Sequence, residues 1–310
     1  ADIKDFLNDR SLRFRKVADI IAKCNRKVVY LSPYTYTDTK SMSLFMMKHD
    51  VKKINRTIEY VGKEIIDASK FVRPKDTKYK KAISLMYRLQ EEKNIVYVSD
   101  RDTASKIVKN YFPIKEEFKG ERIKAFYNHI KDNYVIDEFE WDVAEAIRKG
   151  IGIYIAPMPR YIKREIVSLY ETNMLSTIIA TTAFTEGVNC NAKNMILTSI
   201  NTGRTLPLTQ IDALNTIGRV GRFASESIGK VYCIDTDIYE KIKHYSQNQE
   251  CILENENYLQ GKEPRTDYEL DMIENEYLTE KDISKKNKIT IEMNQLGLSE
   301  NDLNISLSVS

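Results

Sequence analysis

The chain has 310 residues, 42% of them apolar and 30% charged, with a formal charge of +3. That length holds one large domain or two modest ones, and the composition is that of a water-soluble globular class. No apolar run approaches the ~20 residues that span a bilayer and no signal-peptide core opens the chain, so a membrane partner is not expected.

The first predicted element is a helix over 12–23, with Leu12, Phe14, Val17, Ile20 and Ile21 on one face. Lys27–Ser32 reads as a short buried strand ended by Ser32-Pro33-Tyr34. Asp38 or Thr39 is placed to cap a helix carrying Met42, Leu44, Phe45, Met46 and Met47. Residues 54–72 look extended and alternate in part, and Pro74-Lys75-Asp76 is the best linker.

A clearer α/β rhythm follows. Tyr79–Glu91 is amphipathic, Asn94–Ser99 is a buried strand, and Thr103–Tyr111 is a helix with Asp102 as its expected cap. A helix over Glu138–Lys149 is stopped by Gly150, and Gly152–Ile155 is the next strand. Arg160–Tyr170 is helical, Leu175–Ala180 and Met195–Ile200 are strands, Thr209–Ile217 is a helix, and Gly229–Asp235 is a last strand. Strands separated by helices predict an α/β fold, a parallel sheet with helices on both faces. Beyond about Asn248 the sequence turns polar and acidic, with short helices expected over Tyr268–Glu276 and Glu292–Leu298 and a loose end.

From Glu250 to Ser310 there are 14 acidic and 6 basic residues, a balance of −8, which leaves +11 on 1–249. A basic body with an acidic tail fits a polyanionic partner, although the lysines are spread along the chain as on any solvated surface. Cys24, Cys190, Cys233 and Cys251 form no C-x-x-C pair, and each reads as a buried thiol in a reducing compartment such as the cytoplasm. The histidines (His49, His129, His244) lie far apart without ligand-type neighbours, so no metal site is expected. Tyr30, Tyr97, Tyr154 and Tyr232 fall in predicted strands and are assigned to the core rather than to base stacking.

In an open parallel sheet, ligands sit beyond the carboxyl ends of the strands. Ser99 and Arg101, the segment Ala156–Arg160, and Thr181 with Thr182 all follow predicted strand ends, and one crevice is expected to hold the three groups. The most informative stretch is Ala180-Thr181-Thr182-Ala183-Phe184-Thr185-Glu186-Gly187-Val188-Asn189, followed 25 residues later by Leu214-Asn215-Thr216-Ile217-Gly218-Arg219-Val220-Gly221-Arg222-Phe223. Two arginines three apart, each preceded by glycine, follow a threonine-bearing strand end. A protein that meets both a triphosphate and a nucleic-acid backbone uses such groups.

These stretches resemble the last two motifs of superfamily-2 helicases, the DEAD/DExH-box motors. Asn94–Arg101 resembles the opening strand and loop of their second RecA-like lobe, and Ile155–Arg160 resembles a segment of the Ski/Rad-type branch. There the family's histidine is Ile155 and its glycine is Pro157, and the glutamine opening the last motif is replaced around Asn215. The resemblance implies that Arg219 and Arg222 are fingers reaching the β- and γ-phosphates, with Gly218 and Gly221 keeping the backbone slim. They are expected at the lobe's tip, aimed at the crevice that the threonine pair lines. It implies that Thr181 and Thr182 grip a strand phosphate, and that Glu186, Gly187 and Asn189 turn toward the nucleotide. Ser99, Arg101, Arg160 and Arg164 become further backbone contacts, with an internal salt bridge as the alternative for Arg164.

No G-x-x-x-x-G-K-[S/T] loop is present: Gly62-Lys63, Gly229-Lys230 and Gly261-Lys262 lack both the hydroxyl and the upstream glycine. Asp137-Glu138 looks like a metal-binding pair but continues at helical spacing, and reads as an acidic helix start. The resemblance therefore implies residues 1–73 as the remnant of a first lobe and linker, 74–248 as the second RecA-like lobe, and 249–310 as an acidic tail. ATP and Mg²⁺ would belong to the full enzyme, with none bound by this segment. The expected partners are single-stranded DNA or RNA, the missing first lobe, and a protein docked on the tail. A degenerate lobe serving as a scaffold is the alternative.

Overall fold

The computed structural model describes residues 16–17, 20, 23–24, 35–52, 62–113, 118–134, 142–155, 158–184, 192–203, 206–221, 228–247, 250–252, 256–261, 285 and 289. The chain divides into two compact units, one formed by Ala1–Ile58 with Asn248–Ser310 and the other by Glu59–Gln247. This differs from the three-part division expected, because the front and the tail fall in one unit and the boundary lies upstream of Pro74.

The first unit opens with strand β1, Thr35–Tyr36, and helix α1, Lys40–Lys48. Thr39 is the cap, its Oγ1 accepting from the Met42 N–H at 3.2 Å. Met42 and Phe45 are buried. Val17 and Ile20, expected on a covered face, are instead 48% and 61% exposed. Periodicity marks a stripe but does not say that anything covers it. The predicted strand Lys27–Ser32 lies outside the described residues, as does the Ser32-Pro33-Tyr34 segment.

The second unit runs β2 Gly62–Asp67, α2 Lys78–Arg88, β3 Asn94–Tyr97, α3 Arg101–Asn110, α4 Glu121–Tyr134, α5 Asp142–Arg148 and β4 Ile151–Tyr154. It continues α6 Arg160–Glu171, β5 Thr177–Ala180, β6 Asn194–Leu197, the hairpin strands β7 Asn201–Thr202 and β8 Leu206–Pro207, α7 Gln210–Ile217, β9 Ile228–Cys233 and α8 Thr236–Gln247. Six strands form one sheet in the order β2-β9-β6-β3-β5-β4, every pair parallel. Strands β3, β5 and β6 are buried at every position, as a sheet covered on both faces requires. The edge strand β2 begins with three exposed residues, Gly62, Lys63 and Glu64, which is why its pattern reads weakly.

Parallel crossovers are right-handed. Moving from β2 to β3 and from β3 to β4 therefore puts α2, α3 and α5 on one face. Moving back to β5, β6 and β9 puts α6 and α7 on the other. Helix α4, at the β4 edge, reaches α6 through a forked ion pair from Arg122 to Glu165 at 2.8 and 2.9 Å. Gly150 stops α5 with φ +74°, in the region that favours glycine. Residues 135–141, with the Asp137-Glu138 pair, lie outside the described residues.

The first unit closes with β10, Glu250–Cys251, which pairs in parallel with β1 through Thr35↔Glu250 and Tyr36↔Cys251. Helix α9, Glu256–Leu259, packs on α1. The segments Tyr268–Glu276 and Glu292–Leu298 lie outside the described residues.

Candidate functional site

Strands β3, β5 and β4 end level with one another, with Tyr97 beside Ala180 and Ala180 beside Tyr154. The next residues keep the line: Val98 N donates to Ala180 O at 2.9 Å and Thr181 N to Tyr154 O at 3.3 Å. Ser99 and Thr181 thus follow adjacent strands whose connections leave toward opposite faces, the place where an open sheet forms its crevice. Arg101, Arg160, Thr181 and Thr182 share this edge because each lies just beyond a strand end.

Ser99 is half-buried, its Oγ donating to Asp100 Oδ2 at 2.8 Å. Asp100, not Asp102, caps α3, accepting from the Thr103 N–H at 2.8 Å. Extended backbone at Asp100 (ψ 161°) lets its carboxylate fold back over the first turn, so the helix starts at Arg101. Thr181 and Thr182 are half-buried, and Thr181 O accepts from the Phe184 N–H at 3.0 Å, closing a 3₁₀ turn over Thr182–Phe184. Arg160 opens α6 and, like Arg164, is exposed. Arg164 has no ion pair to a described residue. Ile155 and Met158 are buried, while Ala156 and Pro157 lie outside the described residues.

Tyr154 is half-buried rather than core, set edge-on to Phe184 at 5.1 Å with Lys163 Nζ 5.4 Å from its ring centre. Burial pushes the Tyr154 phenol up and the Lys163 ammonium down. Tyr97 is in the core as expected, and its hydroxyl donates to Asn201 O at 2.9 Å. Together with Gly203 N donating to Ser99 O at 2.9 Å, this seats the β7–β8 hairpin on the same edge. Tyr232 is half-buried, and Tyr30 lies outside the described residues.

The glycine–arginine segment stands elsewhere. Leu208 N bonds Ile200 O at 2.7 Å, so α7 starts near the carboxyl end of β6. An eight-residue helix rises ~12 Å, about the length of a four-residue strand at ~3.3 Å each. Its far end therefore arrives at the amino end of the sheet. There Gly221 N donates to Ala192 O at 3.0 Å, and Val220 bridges Ala192 just ahead of β6. The single crevice expected for arginines and threonines is thus two places, at opposite ends of the sheet. Gly218 caps α7 in ordinary helical geometry, whereas Gly221 takes φ +64°. Arg219 is half-buried with its Nε inside. Arg222, Glu186, Gly187 and Asn189 lie outside the described residues.

The sequence reading missed what braces this amino end. Glu92 pairs with Lys193 Nζ at 2.7 Å and accepts from Asn194 Nδ2 at 2.5 Å; Asn194 also donates to Asn94 Oδ1 at 3.0 Å. The hydrogen bond from Lys193, then that from Asn194, holds the Glu92 carboxyl below the usual glutamate value. Lys193 and Asn194 follow Ala192 directly, so this ladder fixes the strand start on which Gly221 rests. Lys230, opposite Asn194 on one side and Glu64 on the other, also stands at this end.

Among the described residues no three metal-ligating side chains converge, and no helix is long and apolar enough to cross a membrane. No family model matches the chain. A stretch of 120 residues is 30% identical to anti-bacteriophage protein B of Escherichia coli (strain K12), covering 38% of this chain and 16% of that protein. Among solved structures, a crystal structure of the DUF1998 helicase MrfA bound to DNA and AMPPNP matches with TM-score 0.50 and 13% identity, over 88% of this chain and 35% of that one. The C-terminal domain of the DEAD-box protein Dbp5 matches with TM-score 0.37 and 13% identity, over 62% of this chain and 89% of that domain. The matched stretch is thus about a sixth of the curated relative and about a third of the MrfA chain. With its six-stranded all-parallel sheet and the likeness to the MrfA structure, the chain has a RecA-like α/β fold.

Proposed function

We propose that this chain is the C-terminal motor lobe of an ATP-dependent nucleic-acid helicase, of the superfamily-2, Ski/Rad-type kind. The carboxyl ends of β3, β5 and β4 hold the backbone of a single strand. Thr181 and Thr182 offer hydroxyls, and Ser99, Arg101, Arg160 and Arg164 add polar and cationic contacts that grip phosphate without reading sequence. The amino end of β6 and β9 offers Arg219 to the β- and γ-phosphates of ATP·Mg²⁺ held against another lobe, with Gly218 and Gly221 keeping the backbone slim there. The motif resemblance, not a position in the structure, assigns Arg222, Glu186, Gly187 and Asn189 to the same nucleotide. A planar, permanently charged guanidinium matches charge spread over phosphoryl oxygens. Lobe closure on ATP and opening after hydrolysis then move the strand contacts relative to the other lobe.

On this reading the chain alone binds strands but does not turn over ATP. The partial identity to a protein named for anti-bacteriophage activity makes defence against phage one setting for the motor. One observation supports the proposal: Thr181 and Thr182 follow the carboxyl end of β5 while the glycine–arginine segment stands at the amino end of β6, which leaves room for two separate ligands on one parallel sheet. The test is a titration of the chain with labelled single strands at two salt concentrations. Binding that is indifferent to sequence and weakens steeply with salt is expected; absence of binding at low salt overturns the proposal.

A further inference from the structure

At the β4 edge, the last turns of α4 meet the first turn of α6. The two helices run antiparallel, since Arg122 near the start of α4 forks onto Glu165 and reaches Ser168 Oγ at 2.7 Å, while the other end of α4 meets Tyr161. Three rings gather there. His129 lies 5.9 Å from Tyr161 at an interplanar angle of 72°, and Tyr134 lies 6.5 Å from Tyr161 at 42°.

A hydrogen-bond chain fixes them. Asn133 Nδ2 donates to His129 Nδ1 at 3.2 Å, which leaves the ring proton on Nε2 to donate to the Tyr161 hydroxyl at 3.4 Å. The Tyr134 and Tyr161 hydroxyls also bond to each other. Burial, and then Tyr134, push the Tyr161 phenol up to about 12, so it stays protonated.

Yet Tyr161 is 47% exposed. A polar network that orders an exposed aromatic ring spends side-chain entropy without gaining burial. Such ordering is useful when a ligand later covers the ring, because less freedom is then lost on binding. Two exposed cations lie close along the helix: Arg164, three residues on, shares the helix face of Tyr161, and Arg160 opens the same turn. Lys131 and Asp132 in the last turn of α4 cancel in charge. Tyr161 also lies at the start of α6, beyond the carboxyl end of β4, and so continues the line from Ser99 through Thr181.

We infer that Tyr161, held by His129 and Tyr134 and close to Arg160 and Arg164, is a stacking platform for an unpaired base at the β4 end of the strand track. This rests on the strand-binding reading above. The arginines take neighbouring phosphates, and the ring takes the face of any base, giving affinity without sequence choice.

The test compares, with the full chain at low salt, a labelled thymidine strand and an abasic strand with the same phosphates. Fluorescence anisotropy should show the base-bearing strand bound about 5- to 150-fold more tightly. Tyr161→Ala should abolish that preference while keeping salt-sensitive binding, and Tyr161→Phe, which keeps the ring, should retain most of it. Equal affinity of the wild type for both strands, or a preference surviving in Tyr161→Ala, overturns the platform and leaves strand binding intact. Failure of the wild type to bind thymidine, uridine and abasic strands alike overturns both.

Discussion

Gly229 lies backbone to backbone against Gly221: a Cβ at position 229 would stand 2.7 Å from the Gly221 nitrogen and 2.9 Å from its Cα. No flexible side chain is there to yield, so any added atom pushes the main chain that carries Gly218-Arg219-Val220-Gly221. Gly229→Ala is expected to cost about 1–3 kcal/mol, read as a lower urea midpoint. Gly62, in the neighbouring strand, has nothing within 4 Å of its notional Cβ, so Gly62→Ala serves as a control with no such loss. Equal midpoints for the two variants would contradict the seating of the arginine segment against β9.

The Glu92–Lys193–Asn194 ladder gives a pH signature. Glu92 titrates in the folded chain below its ordinary 4.5, so the unfolded state binds the proton more readily. Its stabilisation is complete above pH 4.5 and is lost as pH falls through the lower folded value. Glu92→Gln should therefore be less stable than wild type near neutrality, with the gap closing in acid. The gap is small, since the side chain is 34% exposed and water screens the pair. Denaturant melts across the acid range check this; a gap constant with pH would remove the ion pair from the account.

Cys233 offers a probe of the core. It is fully buried at the end of β9, and burial, aided by the Asp67 charge, pushes its thiol up to about 12. Only ~10⁻⁴ of it is thiolate at pH 8, and the thiolate is the reactive form. Cys24 is exposed, not buried as its sequence suggests, so iodoacetamide at that pH should label it in the native chain and Cys233 only after unfolding, as peptide mapping would resolve. Comparable labelling rates for the two would mean that the carboxyl end of β9 opens readily.

Much of the sheet was legible because β3, β4, β5, β6 and β9 are short apolar runs set between turn residues and helical stripes. Thr39 and Gly150 acted through local chemistry alone, and local chemistry is what a sequence displays most directly. Asp100 was passed over for Asp102 because both are acidic and near the helix start, and only the extended backbone at Asp100 decides between them. Helix α4 was missed although Ile123, Phe126 and Ile130 are spaced for it, and with it went the His129–Tyr134–Tyr161 cluster. Strand β2 showed only as part of the extended, partly alternating stretch 54–72, because its edge position exposes Lys63 and Glu64 and blurs its bounds. The distance between Thr181 and Arg219 was not legible at all. It depends on α7 running back along the sheet, a three-dimensional fact that motif order does not encode.

That separation makes the two edges independently removable. Thr181 follows the carboxyl end of β5, while Arg219 stands by the amino end of β6, so neither side chain can substitute for the other. If the proposed motor role holds, then in a polypeptide that joins this chain to a first lobe Arg219→Ala should lower strand-stimulated ATP turnover by ~10³–10⁵-fold and leave strand affinity unchanged. Thr181→Val keeps the shape and removes the hydroxyl, so strand affinity should fall roughly threefold to tenfold while ATP turnover at saturating strand is retained. Nucleotide hydrolysis and strand anisotropy, measured on both variants, form a two-by-two comparison. If Arg219→Ala weakened strand binding as much as Thr181→Val does, the edges would not be separate ligand sites. If Arg219→Ala left turnover intact, the finger role would fall while the strand track stood.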